Sequence, residues 1–313
     1  MSGPPTGSVA RMTASVADSR RPFGRVLTAM VTPFTDDGGL DVAGAAHLAT
    51  HLVDAGGNDG LVVSGTTGES PTTSDGEKDH LLRAVVDAVG DRATVVAGVG
   101  TSDTAHSVQL ARAAAEAGAD GLLVVAPYYN KPPQAGLVEH VRAVADATEL
   151  PVLLYDIPGR TGIAFESETL VRLAEHERVL AVKDAKGDLA AASAVMARTD
   201  LAYYCGEDVL NLPLLAVGAV GFVSVVGHLV GLRLREMLDA YEGGDVGLAL
   251  EIHRSLLPVY TGIFRTQGAI LTKAALALQG LPGGPLRLPL VGATAEQVET
   301  LRGDLAAGGV KTD

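Results

Sequence analysis

The sequence predicts an α/β chain, a (β/α)8 TIM barrel carrying a C-terminal helical appendage, and three observations predict it. From Arg25 onward an apolar run followed by an amphipathic stretch recurs about every 20 to 30 residues, the pattern of successive β-α units. Eight such runs occur, which suits a closed barrel better than an open doubly wound sheet, whose units more often number about five or six. No Gly-x-Gly-x-x-Gly follows any run and no Walker-type Gly-Lys-Ser/Thr occurs, which disfavours dinucleotide-binding and P-loop folds.

In chain order, residues 1–21 are rich in Gly, Pro, Ser, Thr and Ala without helical or strand period, and are expected to be a disordered extension. They lack the apolar core of a secretory signal. Arg11, Arg20 and Arg21 give a faint likeness to a transit peptide, but such tails are more often just flexible. The expected strands are Val26 to Val31, Gly60 to Val63, Thr94 to Val99, Gly121 to Ala126, Val152 to Ile157, Val179 to Lys183, Leu201 to Cys205 and Gly221 to Val226. Each is followed by a helical candidate: Asp41 to Ala55, Ser74 to Val89, Asp103 to Ala117, Gln134 to Thr148, Glu166 to Glu175, Leu189 to Ala197, Val209 to Val217 and Val230 to Tyr241. Thr73 or Ser74 ahead of Glu77, and Ser102 ahead of an Ala-rich run, look like helix caps. Residues 22–243 then form the barrel. Residues 244–313 form the appendage, mostly helical from Asp245 to Leu281, with a Pro-Gly-Gly-Pro loop at 282–285 and a last helix from Thr294 to Ala307.

At 313 residues the core is ample, and no apolar run reaches the ~18 to 20 residues that span a bilayer. A formal net charge of -13 argues against nucleic acid and acidic membranes, which need clustered Lys and Arg. The one cysteine, Cys205, fits a reducing compartment and is expected to be a small buried hydrophobe in a cytoplasmic protein.

The stretch with the most chemistry is Val179-Leu180-Ala181-Val182-Lys183-Asp184-Ala185-Lys186-Gly187. A lysine that directly continues a buried strand loses hydration, its pKa falls, and the neutral amine becomes a nucleophile for carbonyl carbon. Taken alone, Lys183 would more readily be read as ending an ordinary strand and reaching into water or pairing with a neighbouring acid. Its company decides otherwise. In such barrels chemistry sits on the loops at the carboxyl ends of the strands. There the sequence places Ser64-Gly65-Thr66-Thr67-Gly68-Glu69, Pro127-Tyr128-Tyr129-Asn130-Lys131, Tyr155 to Gly162, and Cys205-Gly206-Glu207-Asp208.

Tyr155 and Lys183 fall on adjacent strands ~4.8 Å apart, and alternation lets both point into the barrel, so a phenol can carry protons for an amine. Thr66 and Thr67, framed by glycines, offer hydroxyls and backbone N–H groups to a carboxylate. Arg160 is suited to grip a second carboxylate in bidentate fashion.

With these motifs in order, the chain resembles the dihydrodipicolinate synthase group of the pyruvate-dependent class I aldolase family, from about Arg25 to about Arg302. The runs Gly-Thr-Thr-Gly-Glu, Pro-Tyr-Tyr-Asn-Lys-Pro and Tyr-x-x-Pro-x-Arg-Thr-Gly, followed by the strand lysine, carry the resemblance. It implies a lyase that condenses pyruvate with L-aspartate 4-semialdehyde to give 4-hydroxy-tetrahydrodipicolinate, in the diaminopimelate and lysine pathway. It implies that Lys183 forms the Schiff base with pyruvate and that no cofactor or metal is needed. Tyr155, Thr66 and Tyr129 would form a proton relay, the residue matching Tyr129 coming from a neighbouring subunit. Thr66 and Thr67 would hold the pyruvate carboxylate and Arg160 that of the semialdehyde, while Gly206 and Val223 would line the pocket. The expected assembly is a homotetramer built of dimers.

Two departures from the family pattern stand out. Where lysine-inhibited members hold the effector with Tyr, Asn, Glu and His or Trp, this chain keeps Tyr128 but has Ser102, His106 and Lys78. Losing a carboxylate and gaining a cation repels an ammonium, so weak or no feedback by lysine is expected. Asp156 replaces a frequent Asn; alternation turns it away from Lys183, and it receives no catalytic role. Of the eight histidines only His47 and His51 stand at i, i+4, and nothing resembles a ligand trio. Two other functions remain open on the sequence: a lyase of the same Schiff-base type acting on a sugar acid, and a barrel that only binds a keto acid.

Overall fold

The computed structural model of the chain describes residues 20–312. All eight expected strands are present: β1 (Val26–Ala29), β2 (Gly60–Val63), β3 (Thr94–Gly98), β4 (Gly121–Val125), β5 (Val152–Asp156), β6 (Val179–Asp184), β7 (Ala202–Cys205) and β8 (Gly221–Ser224). Each pairs in parallel with its sequence neighbour and β8 pairs with β1, so the sheet closes into a barrel. Around it run α1 (Val42–Asp54), α2 (Asp75–Val89), α3 (Thr104–Glu116), α4 (Gln134–Ala145), α5 (Pro158–Thr161), α6 (Ser167–Leu173), α7 (Leu189–Met196), α8 (Asn211–Ala216) and α9 (Gly227–Glu242). The appendage consists of α10 (Val246–Ile263), α11 (Gly268–Leu278) and α12 (Ala295–Ala307).

Two helix readings change and one holds. The α3 cap is Asp103 rather than Ser102; its carboxylate accepts the Ala105 N–H at 2.9 Å. Ser74 does cap α2, in a reciprocal box with Glu77. Arg160 sits in the one-turn helix α5, begun by Pro158, and not in an open loop. The extension expected over residues 1–21 lies outside the described residues except for Arg20 and Arg21. Arg21 belongs to the barrel floor, donating from Nε to the Val220 carbonyl at 3.0 Å and pairing with Glu242.

The strand period of two sorts side chains into two cores. Leu27, Ala29, Val62, Val96, Leu123, Leu153, Ala181, Ala202 and Val223 fill the lumen. Their neighbours Val26, Leu61, Val95, Leu122, Leu154 and Val182 face the helix layer. Phe23 and Tyr204 meet edge to face, centroids 6.3 Å apart, and the Tyr204 hydroxyl donates to the Gly24 carbonyl at 3.0 Å. With Phe23 just ahead of β1, this contact packs the end of the lumen opposite the βα loops.

The appendage reaches the barrel rim through a buried ion pair. Lys273 of α11 places Nζ 2.7 Å from Glu69 Oε1, with side chains 3% and 1% exposed. Arg287 donates its backbone N–H to Glu69 at 3.0 Å and its guanidinium to Glu77. The Phe34 ring lies under both cations, 4.3 Å from Lys273 Nζ and 4.1 Å from Arg287 Cζ. Among the described residues no helix is long and apolar enough to cross a membrane.

Candidate active site

Lys183 shares the lumen-facing parity of Ala181 and sits in register with Tyr155, which is directly opposite on β5. Its side chain is 3% exposed, and Nζ lies 4.2 Å from the Tyr155 ring centroid. Burial pulls the amine down to about 8, while the carboxylate of Asp208 opposes the fall and Arg160 adds to it. Gly206 explains how the stem fits: a Cβ there would stand 2.8 Å from Lys183 Cγ and 2.9 Å from Cε, so any larger residue would displace the lysine. Tyr155 is 5% exposed and hydrogen-bonded to the Thr66 side chain; burial pushes its phenol up to about 12, against the opposing pull of Arg160. At neutral pH it therefore holds its proton and is fit to donate it to a leaving hydroxyl.

Above this pair opens a cavity of about 390 Å³. Thr66, Tyr128, Tyr129, Tyr155 and Arg160 line it. Lys183 does not line that cavity; it lies beside Tyr155 in register, with Gly206 against its stem. Val223 is fully buried in the lumen core, and Thr67 is buried while Thr66 is partly exposed. The turn bonds within itself, Gly68 N–H to Gly65 C=O at 3.1 Å and Glu69 N–H to Thr66 C=O at 3.2 Å. The N–H groups of Thr66 and Thr67 take no part in that bonding.

Backbone strain concentrates here. Among the described residues, the non-glycine residues with left-handed φ are Ser64 (57°), Glu69 (54°), Tyr129 (73°) and Lys131 (45°), all on the loops after β2 and β4. Such conformations persist where the surrounding structure over-determines them, which is common at functional sites. Tyr129 is 93% exposed at the cavity mouth.

One residue of weight escaped assignment from the sequence. Asp208, 2% exposed, accepts hydrogen bonds from Ser224 Oγ at 2.5 Å, Asn211 Nδ2 at 3.1 Å and the backbone N–H groups of Val225 and Val226 at 3.0 and 3.1 Å. It is the largest charge influence holding Lys183 up. Its place just past β7 was the available signal; its burial was not visible in the sequence.

At the positions weighed for lysine feedback, His106 Nε2 lies 2.9 Å from Asp75 and the Lys78 ammonium is bonded to the Thr73 carbonyl. Asp75 thus returns a carboxylate that position-by-position reading left out. Asn130 Nδ2 donates to the Ser102 carbonyl at 2.9 Å. Among the described residues no group of three or more His, Cys, Asp or Glu is placed to hold a metal ion.

Comparison with known proteins follows the same line. The profile described as the dihydrodipicolinate synthetase family matches residues 22–307. The 4-hydroxy-tetrahydrodipicolinate synthase of Acidothermus cellulolyticus is 71% identical over 288 residues, 92% of this chain and 93% of that protein. The 4-hydroxy-tetrahydrodipicolinate synthase 2 of Streptomyces coelicolor is 68% identical over 298 residues, 95% of this chain and 99% of that protein. Among solved structures, the Cyanidioschyzon merolae DHDPS with lysine bound superposes with a TM-score of 0.90 at 42% identity, covering 93% of this chain and 99% of that one.

Proposed function

The chain belongs to the dihydrodipicolinate synthetase family, and from that premise we propose how its own residues condense pyruvate with L-aspartate 4-semialdehyde to give 4-hydroxy-tetrahydrodipicolinate, the lyase step of the diaminopimelate and lysine pathway. The neutral amine of Lys183 adds to the keto carbon of pyruvate. Tyr155 delivers the proton with which the carbinolamine hydroxyl leaves as water, giving a protonated imine. That cation draws electrons from the methyl carbon, which loses a proton and becomes an enamine. The enamine carbon attacks the aldehyde of the second substrate and the new alkoxide takes up a proton. The amino group of the same substrate then adds to the imine carbon, closes the ring and frees Lys183. The imine is the electron sink, so the sequence of steps calls for no cofactor.

Around it, Thr66 relays protons between Tyr155 and Tyr129, and Thr66 with Thr67 holds the pyruvate carboxylate. Arg160 holds the carboxylate of the semialdehyde; Gly206 and Val223 shape the pocket from behind. Tyr129 works across a subunit boundary, in a cytoplasmic homotetramer built of dimers. Its exposure and left-handed backbone support that role.

The observation that carries the reading is an amine buried in the lumen with its Nζ over the ring of a phenol in register on the next strand. Borohydride reduction in the presence of pyruvate, followed by peptide mass mapping, tests it. A pyruvate adduct on Lys183 is the expected result, and labelling elsewhere or nowhere removes the mechanism.

Feedback should be weak. The half-buried Lys78 brings a cation to one of the positions that hold the effector in lysine-inhibited members, and the Asp75 carboxylate is already engaged by His106. Lysine at millimolar concentration should leave the initial rate unchanged within twofold; a halving of the rate would refute this.

A further inference from the structure

The alternation that turns Tyr155 and Lys183 inward turns Asp156 and Asp184 outward. These two pair in register and are 1% and 6% exposed beneath the segment that follows β5. A buried carboxylate is costly unless it is paired and hydrogen-bonded. Asp156 spends its capacity on the segment that carries Arg160: Oδ1 accepts the Phe165 N–H at 3.2 Å, so the first and last residues of the excursion to α6 are joined. Lys186, from the loop after β6, donates Nζ to the Phe165 carbonyl at 3.3 Å and stands 3.8 Å from Asp156 Oδ2. Lys186 is held in turn, because Asp184 accepts its backbone N–H and that of Gly187, each at 3.0 Å. Arg160 lies inside the segment so closed, on the one-turn helix α5, where Gly159 and Arg160 are exposed while Thr161 is buried and donates its hydroxyl to the Ile157 and Ile163 carbonyls.

We propose that Asp156 and Lys186 are positioning residues: a latch on the outer barrel wall that fixes the segment bearing Arg160 and thereby sets the affinity for the second substrate's carboxylate, while touching no substrate. The inference rests on the carboxylate-gripping role given to Arg160 above. Imine formation takes place on the inner face of the same two strands and does not depend on the latch.

The charged and titratable groups facing Asp156 are Lys186, Asp184 of β6 and the buried Tyr203 of β7. Burial, opposed by Lys186, pushes the Asp156 carboxyl up to about 6. As pH falls through that value the carboxylate is protonated and its hold on Lys186 is lost. The kcat/KM for the semialdehyde should therefore decline below about pH 6 more steeply than imine formation does.

A double-mutant cycle tests the latch. Lys186→Met should raise KM for the semialdehyde about tenfold, the worth of a hydrogen bond to a charged group, with kcat and the pyruvate dependence of borohydride trapping unchanged. Lys186→Arg should restore it, and Asp156→Asn should flatten the acid limb of the pH profile. Arg160→Met should raise the same KM, and Lys186→Met in that background should add nothing, because both act through one arginine. Trapping of pyruvate by every variant certifies that each is folded. If Arg160→Met raises KM and Lys186→Met does not, the latch is overturned and the arginine's role stands. Additive effects, or a fall in trapping with Lys186→Met or its milder form Lys186→Gln, also overturn it. If Arg160→Met itself has no effect, the arginine's role falls first, and the latch with it.

Discussion

Lys183→Arg should lower kcat on the order of 10⁴-fold or more and abolish borohydride trapping, the scale of loss seen when a covalent nucleophile is removed. Arginine preserves length and charge but stays protonated at any accessible pH, so it cannot add to a keto carbon. A variant that kept a tenth of wild-type turnover would show that this amine is not the nucleophile. The wild-type pH profile is the companion measurement. With the amine drawn down to about 8 by burial, about one lysine in ten is neutral at pH 7, against roughly one in three thousand at the ordinary value of 10.5. The sign follows: kcat/KM for pyruvate should climb about tenfold per unit as pH rises toward 8, then level off once the amine is free.

Lys273→Met should cost about 3–5 kcal/mol of unfolding free energy, because it strands the buried Glu69 carboxylate without its cation. A lower urea midpoint with unchanged slope is the readout. Adding Glu69→Gln should restore much of the loss, since a neutral amide still accepts the Arg287 N–H and leaves no buried charge. Unchanged unfolding of the single variant would mean that the ion pair contributes nothing. A kinetic consequence accompanies the thermodynamic one. Glu69 closes the turn that begins with Thr66 and Thr67, so the single variant should also need more pyruvate for half-maximal trapping. The C-terminal helices are thus braced against the turn that carries Thr66 and Thr67, whereas the Asp156 and Lys186 contacts bear on the segment that carries Arg160.

Much of the fold was legible because barrel strands buried on both faces leave a plain mark, short β-branched runs between amphipathic stretches. All eight strands were located from it, although their ends ran a residue or two differently: β1 stops at Ala29 rather than Val31, and β6 continues to Asp184. Strand ends are set by where the neighbouring strand stops offering hydrogen bonds, which a single run of residues does not contain. Local chemistry misled at Ser102, where Asp103, one place along, has the carboxylate that reaches the first turn of α3. The short helix α5 was missed because one turn has no period to read.

The candidate site divides in the same way. Tyr129 was pointed to only by the family resemblance, whereas Lys183 and Tyr155 could be named because the period of two fixes which strand residues share the lumen, and Thr66 and Arg160 from residue type and place on the rim. Asp208 could not. Its influence on the amine comes from burial and from four donors supplied by Asn211 and the β8 end, residues far from Lys183 in sequence. Asp156 was set aside on correct grounds of parity, yet its surroundings give it work on the outer wall. The contribution of Asp75 beside His106 likewise spans two helices.

By itself, then, the sequence determined the architecture, the wall of the barrel that faces inward and the residue types available for Schiff-base chemistry, because periodicity and residue identity are local properties of a chain. Only the tertiary structure decided how hard the lysine is to protonate, which carboxylates answer it and what braces the loops that carry Thr66 and Arg160. Those depend on desolvation and on distances between segments remote in sequence, and Coulomb interactions in a dry interior vary too steeply with both to be inferred from order alone.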